Sequence, residues 1–430
     1  MSKRVGIEAS IAVAEAAKLA RIDVAAAYPI TPQTHIVESL SEIVANGEVD
    51  AEFICVESEH SAMSACMGSS ATGARTFTAT AGQGLELMHE VLYVASSSRL
   101  PIVLAVSNRA LSGPLNVWGD HSDAMSARDC GWIQIFSTSG QEAFDQTICA
   151  FRIAEDSKVL FPVMVHLDGF HVSHVVEPME LLDQKEVDAC LPPYTYPFPL
   201  HPDKPVTIGA FAPPVIYTEA RKAQEEALIG TIGTICDVWE DFGKRFGRHY
   251  TPVETYKAEG AEVMLLTMGS FSQPAEVCID KMRAEGKKVG LVKLRLWRPF
   301  PFEALREALS GVQVLAVFDR CLSYGGTGGP VCSEIKSAFY GMEKRPNIVG
   351  FVGGLGGRDV LPEDFEQIIL KAISVAEKGQ DRPYEMIGVR EEWNRLLKKL
   401  LRQYHQKNIL LRDTGPASDV VKFWPSVWYV

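Results

Sequence analysis

The sequence is short of positive charge. Its 42 Lys and Arg residues face 54 Asp and Glu, a formal net charge of -12. A nucleic-acid partner is therefore not expected, because phosphate binding draws on clustered cations. Long apolar runs are also missing. None reaches the roughly 18 residues that a membrane-crossing helix needs, so no membrane span is expected. Nine cysteines are present, at 55, 66, 130, 149, 190, 236, 278, 321 and 332, but none stands in Cys-x-x-Cys spacing. Iron–sulfur and zinc sites usually show close thiolates. These nine are read as ordinary reduced cysteines, and no metal site is expected among the functional residues. If the chemistry needs an electron chain, it is expected on another polypeptide. The first twenty residues begin basic but continue as an Ala-rich helical pattern carrying Glu8 and Glu15. A signal peptide would not carry those charges in its apolar region, so a cytoplasmic protein is expected.

What is there is an α/β pattern. The chain of 430 residues exceeds one ordinary domain. A helix is predicted over 7–20, a strand over 23–28, a stop at Pro29-Ile30-Thr31-Pro32, and a helix over 34–44. Strands near 52–56 and 75–80 flank a small-residue helix at 61–70. A glycine turn, Ala81-Gly82-Gln83-Gly84, opens a helix at 84–98. An apolar strand at 101–107 ends at Asn108-Arg109, and a long loop runs from 110 to 130. Strand 132–136, helix 141–155 and strand 162–167 continue the alternation. Near-continuous apolar strands separated by helices imply a parallel sheet covered on both faces.

Eight prolines between 191 and 215 mark a linker or surface strap. Helical segments are predicted around 217–247. A second α/β unit follows, with strands near 262–268, 289–294, 313–318 and 347–352. The turn Gly325-Gly326-Thr327-Gly328-Gly329 opens one of its helices. Its spacing does not match a phosphate-binding fingerprint, and it is read as a tight turn or close packing. The tail carries an apolar helical stripe, Met386, Val389, Trp393, Leu396, Leu397, Leu400, Leu401 and Tyr404, and an aromatic run at 423–429. That composition suits a subunit contact. The expected division is 1–190, 191–257, 258–378 and a tail at 379–430.

Three chemically capable residues fall at the carboxyl ends of the first strands. These are Thr31, Glu59 and Arg109, and that edge is where ligands bind in open α/β sheets. Arg109 suits a substrate carboxylate, which a guanidinium grips through two parallel hydrogen bonds. A partly buried Glu59 can exchange a proton with a ring nitrogen near neutral pH. The two prolines around Ile30-Thr31 make a rigid loop that presents Thr31.

Taken together, Tyr28-Pro29-Ile30-Thr31-Pro32-Gln33-Thr34, Val56-Glu57-Ser58-Glu59-His60-Ser61-Ala62, Gln83-Gly84, Asn108-Arg109-Ala110-Leu111 and Gly119-Asp120-His121-Ser122-Asp123 resemble a known family. It is the alpha subunit of the thiamine-diphosphate-dependent 2-oxoacid:ferredoxin oxidoreductases, in particular the pyruvate enzymes built from separate subunits. The resemblance covers about residues 5–375. It implies a pyrimidine-binding domain followed by a transketolase C-terminal-like domain, whose opening strand and turn resemble Glu262–Met268 and Gly269-Ser270. It also implies roles. Glu59 would hydrogen-bond the aminopyrimidine ring of thiamine diphosphate, Pro29 and Ile30 would line the cofactor, and Thr31 and Arg109 would contact the substrate.

Family members hold the diphosphate and Mg²⁺ with Gly-Asp-Gly followed downstream by Asn. Here Asp168-Gly169 lacks the leading glycine. The resemblance therefore implies that thiamine diphosphate is shared with a beta subunit, which would bring diphosphate and Mg²⁺ binding and at least one iron–sulfur cluster. Small iron–sulfur subunits would relay electrons. The implied reaction is oxidative decarboxylation of a 2-oxoacid to an acyl-CoA, with pyruvate the default and phenylglyoxylate the alternative. A reading of another class is a non-catalytic scaffold subunit. Asp120, His121 and Asp123 are read as loop hydrogen bonding over the site rather than as metal ligands.

Overall fold

The computed structural model describes residues 3–379 and 383–390, and beyond them 392, 395–396 and 398–403. Residues through Glu385 form one compact unit, and those from Met386 a second. In the tail stripe, Trp393, Leu397 and Tyr404 lie outside the described residues, as does the aromatic run at 423–429.

The chain opens with β1 (Lys3–Glu8), α1 (Ala9–Leu19), β2 (Val24–Ala27), α2 (Thr34–Ala45), β3 (Glu52–Cys55), α3 (Glu59–Thr72) and β4 (Thr76–Thr80). Next come α4 (Gly82–Leu87), α5 (His89–Ser97), β5 (Ile102–Asn108), α6 (Ser122–Ser126), β6 (Ile133–Phe136), α7 (Gly140–Glu155), β7 (Val163–Asp168) and β8 (Val176–Leu181). After α8 (Gln184–Cys190), the strap leads to α9 (Pro214–Ile229) and α10 (Ile232–Phe246). The remaining elements are β9 (Val253–Tyr256), β10 (Val263–Thr267), α11 (Ser272–Ala284), β11 (Val289–Leu294), β12 (Leu296–Arg298), α12 (Phe302–Ala308), β13 (Val314–Asp319), α13 (Pro330–Phe339), β14 (Asn347–Val352), α14 (Pro362–Lys378) and β15 (Tyr384–Met386).

A seven-stranded sheet has the order β12-β6-β7-β5-β4-β2-β3. Strands β6, β7, β5, β4, β2 and β3 are parallel neighbours. Both faces are covered. Ala12, Ala16 and Ala17 of α1 are fully buried in one apolar layer with Phe144, Ile148 and Phe151 of α7. The small alanines let these helices approach each other and the sheet closely. Ala62, Met63 and Cys66 of α3 join Leu92 and Ala95 of α5 on the opposite face. Every residue of β5 is buried, and its positions 102–106 read as an unbroken apolar run. The six-stranded sheet has the order β15-β14-β13-β10-β11-β9.

Several expectations are corrected. The expected helix at 7–20 starts at Ala9, because residues 3–8 pair antiparallel with 176–181. That second strand escaped notice because Pro178 interrupts its pattern. Helix α3 starts at Glu59 instead of 61, with Ser58 as its cap, and ends at Gly73, whose φ of 97° only glycine adopts readily. The helix expected at 84–98 is two, α4 and α5, meeting at Met88. The sheets are not purely parallel. Strand β9 runs antiparallel to β11, and β12 runs antiparallel to β6. The outer strand of the first sheet is thus supplied by the second half of the chain. Arg295, just before β12, bonds both Glu142 of α7 and Glu254 of β9 while 4% exposed.

Candidate active site

In the seven-stranded sheet, β2 connects outward to β3, and the chain then returns to place β4 on the other side of β2. The carboxyl ends of β2 and β4 therefore flank a topological switch point, the crevice where ligands bind in such sheets. The loop Tyr28–Gln33 leaves β2 there, and the turn Ala81–Gly84 leaves β4. Gln33 ties the two together. It is fully buried, and its Nε2 donates to Ala79 O at 2.7 Å and Tyr28 O at 3.3 Å.

Glu59 occupies the first turn of α3, where the helix N-terminus favours a carboxylate. It is 5% exposed. Among the described residues, none donates a hydrogen bond to its side chain. Gly84 makes room for it: a Cβ at Gly84 would lie 2.7 Å from Glu59 Oε1 and 2.4 Å from Thr80 Oγ1. Thr80 Oγ1 and Gln83 Oε1, on the same turn, are buried without a protein partner. A buried carboxylate and two orphaned polar atoms around a glycine cradle fit a ligand rich in ring nitrogens and amines.

Arg109 follows β5 and is 7% exposed. Its stem lies against Gly82, where a Cβ would come within 3.0 Å of Arg109 Cδ and where φ is +46°. Its Nη1 donates to Thr31 O at 3.1 Å and its Nε to Asn116 O at 2.9 Å. No described residue accepts from Nη2, which leaves that donor for a ligand. Burial lowers the Arg109 pKa while Asp123 opposes the shift, and the guanidinium stays charged at any working pH. The side chain of Thr31 is exposed, as is Pro29, and Ile30 is half-buried. The structure thus brings Thr31 and Arg109 into contact. Through adjacent glycines of one turn, it sets Glu59 beside them.

The loop 110–130 is bolted down by residues whose importance the sequence showed only partly. Asp123 is fully buried and accepts from Gly82 N (3.0 Å), Arg109 N (2.8 Å) and Asn108 Nδ2 (2.9 Å). Burial pushes its carboxyl up to about 7, against the pull of those donors. Asp120 accepts from Ser122 and from Gly356 N at 3.0 Å. Asn116 spans the same gap. Its Nδ2 donates to Gly356 O at 3.1 Å, and its Oδ1 accepts from Trp118 N at 2.7 Å. Beneath the loop, Asp168 accepts from Ser270 N at 2.7 Å, contacts His121 Nε2 at 2.8 Å and pairs with Arg320 at 2.6 Å. Burial alone would raise the Asp168 pKa, but Arg320 and His121 outweigh it and hold the carboxylate far below its usual range. Sequence reasoning missed Asn116, Gln33, Asp168 and Arg320 as site supports. The one available signal was an acid, Asp168, ending a fully buried strand.

The glycine-rich turn 325–329 is no phosphate loop. The amides of Val331 and Cys332 at the start of α13 donate to Asp319 at 2.8 and 3.0 Å, and a Cβ on Gly329 would collide with that carboxylate at 2.0 Å.

Comparison with solved structures gives the class. The fold is shared with a 2-oxoglutarate:ferredoxin oxidoreductase from Magnetococcus marinus, at a TM-score of 0.67 and 18% identity over 87% of this chain and 65% of that one. A split-gene transketolase matches at a TM-score of 0.51 and 12% identity, over 86% of this chain and 100% of that one. The α/β architecture is therefore shared with 2-oxoacid oxidoreductase and transketolase chains. The thiamine-diphosphate-binding profile of the pyruvate flavodoxin/ferredoxin oxidoreductases matches residues 15–230, and the profile of pyruvate:ferredoxin oxidoreductase core domain II matches 261–365. Pyruvate synthase subunit PorA of Pyrococcus abyssi is 46% identical over 397 residues, which cover 91% of this chain and 100% of that protein. The same-named subunit of Thermotoga maritima is 45% identical over 393 residues, 90% of this chain and 99% of that protein. Ketoisovalerate oxidoreductase subunit VorA of Pyrococcus horikoshii is 43% identical over 380 residues, 87% of this chain and 95% of that protein. The chain belongs to the pyruvate flavodoxin/ferredoxin oxidoreductase family, and the relatives it matches are named as subunits of such enzymes.

Proposed function

We propose that this chain is the alpha subunit that activates thiamine diphosphate and grips the 2-oxoacid in an enzyme making acyl-CoA from pyruvate. The observation that carries the reading is the pairing at one switch point of an unpartnered buried Glu59 with an Arg109 whose Nη2 is uncommitted. Thiamine diphosphate, when bound, supplies the carbanion chemistry that decarboxylation requires. The residues of this chain bind, orient and move one proton. With the cofactor bound, Glu59 Oε would hold and exchange a proton with the aminopyrimidine, kept in place by the helix start and by the space at Gly84. Pro29 and Ile30 would line the ring. Arg109 Nη2 pairs with the substrate carboxylate, and Thr31 closes the same corner.

The site is completed by a beta subunit carrying the diphosphate and Mg²⁺ contacts, with iron–sulfur clusters on partner chains. Exposed apolar side chains flanking the site support this: Ile54 at 38%, Leu87 at 50%, Leu115 at 78% and Trp118 at 52%. The nine cysteines are all free, and seven are buried. No described helix is long and apolar enough to cross a membrane. The relative named for ketoisovalerate keeps a branched 2-oxoacid as a second reading for the substrate.

Two measurements test the proposal. The anaerobically purified complex, given CoA and a viologen dye, is expected to favour pyruvate over 2-ketoisovalerate and phenylglyoxylate. Glu59→Gln is expected to lower kcat by about 10²–10⁴-fold with assembly intact. Full turnover by that variant would instead leave a scaffold.

A further inference from the structure

A second cluster lies outside the site just described. We propose that Glu8, His35 and His174 form a binding site for a divalent transition-metal cation, with zinc best suited to the donors. The three residues come from distant points in the chain. Glu8 ends β1, His35 stands in the first turn of α2, and His174 lies in the turn between β7 and β8. One ligand atom from each lies within 4.8 Å of the others. Two imidazoles and one carboxylate make the three-protein-ligand set of zinc sites that keep a fourth position open. Imidazole also suits copper and nickel, whereas calcium and magnesium prefer all-oxygen sets.

The surroundings are built as such a site requires. His35 Nδ1 and Glu8 Oε1 share a hydrogen bond at 2.7 Å, which an incoming ion would replace. His174 Nδ1 sits 2.8 Å from Ser173 Oγ, and that hydroxyl accepts from Phe170 N at 2.9 Å. With Nδ1–H donating to the hydroxyl, His174 keeps Nε2 unprotonated, the form that ligates. A partner on the second ring nitrogen is the usual support of a metal-bound imidazole. Ser173 is held in turn, its carbonyl accepting from Ser10 Oγ at 2.7 Å. The two imidazole rings are 4.5 Å apart, and Phe170 lies 4.6 Å beyond His174. The side chains of Glu8 and His35 are 16% and 43% exposed, so an ion has a route in.

The place suggests what the cation would do. His35 follows Thr31 by four residues, and a Cβ on Gly169 would meet Pro32 at 2.7 Å. An ion here would tie β1, α2 and the β7–β8 turn together behind the loop that presents Thr31. None of the three ligands takes part in the proposed chemistry at Glu59, so the two ideas fail separately.

The test uses the whole complex, stripped of adventitious metal and equilibrated with Zn²⁺. Zinc-edge X-ray absorption is expected to show two imidazoles and oxygen at about 2.0–2.2 Å, with no sulfur. Glu8→Gln and His174→Gln are each expected to weaken zinc binding by about tenfold or more, judged by competition dialysis. His35→Gln serves as a third variant should either fail to assemble. Equal zinc content in the parent complex and in Glu8→Gln/His174→Gln overturns the proposal, and so does a sulfur-containing ligand shell.

Discussion

At the scale of single residues, the site depends on what is absent from glycine as much as on what glutamate offers. Gly84→Ala would push a methyl group onto Glu59 Oε1 and Thr80 Oγ1. The carboxylate, which accepts no hydrogen bond among the described residues, would give way first. The expected result is a loss of kcat of about 10²-fold or more, with affinity for thiamine diphosphate reduced as well. Steady-state kinetics and cofactor titration check it. Asn116 acts through Arg109. Its carbonyl takes Nε while its side chain clamps Gly356 and Trp118. Asn116→Ala is expected to raise KM for the 2-oxoacid about tenfold and to change kcat less, because the loosened loop misplaces a guanidinium that keeps its charge. A larger effect on kcat than on KM would argue against positioning.

At the scale of elements, α3 shows how local signals place a catalytic group. Ser58 caps the helix by accepting from Ser61 N, and Glu59 is the residue that follows. Ser58→Ala is expected to cost about 1 kcal/mol of stability, measured by denaturant unfolding, and to weaken turnover by loosening the first turn. Strand β5 was legible because burial on both faces makes most of it a continuous apolar run. The acid pair after β3 and the glycine turn after β4 were legible as punctuation at strand ends. Strand β8 was hidden by Pro178, and β12, three residues long, carries no periodicity to read. The clamp between Asn116 and Gly356 joins residues 240 positions apart. No local pattern announces such a bond, because the fold alone brings its partners together.

At the scale of the whole molecule, Asp168 is the polar pin between the two sheets. It joins the end of β7 to Ser270 and Arg320 on the second sheet and to His121 in the site loop. Its folded pKa is depressed. The stability it confers is therefore present above the unfolded carboxylate pKa, near 3.9, and is lost as pH falls through the folded value. Asp168→Asn is expected to destabilise the protein by about 3–5 kcal/mol at neutral pH, since Arg320 is left buried without its counter-ion. The gap in thermal midpoint between parent and variant should narrow below about pH 4. A gap independent of pH would assign the loss to packing instead of charge.

The borrowed strand β12 also has a meaning in time. Strand β6 ends at Phe136, and its edge partner begins at Leu296, roughly 160 residues later. At about 5–20 residues per second, the ribosome takes on the order of 10–30 s to deliver it. Throughout that interval the nascent chain presents an apolar, hydrogen-bond-hungry strand edge to the cell. The half of the protein that carries Glu59 and Arg109 is thus made first and sealed last.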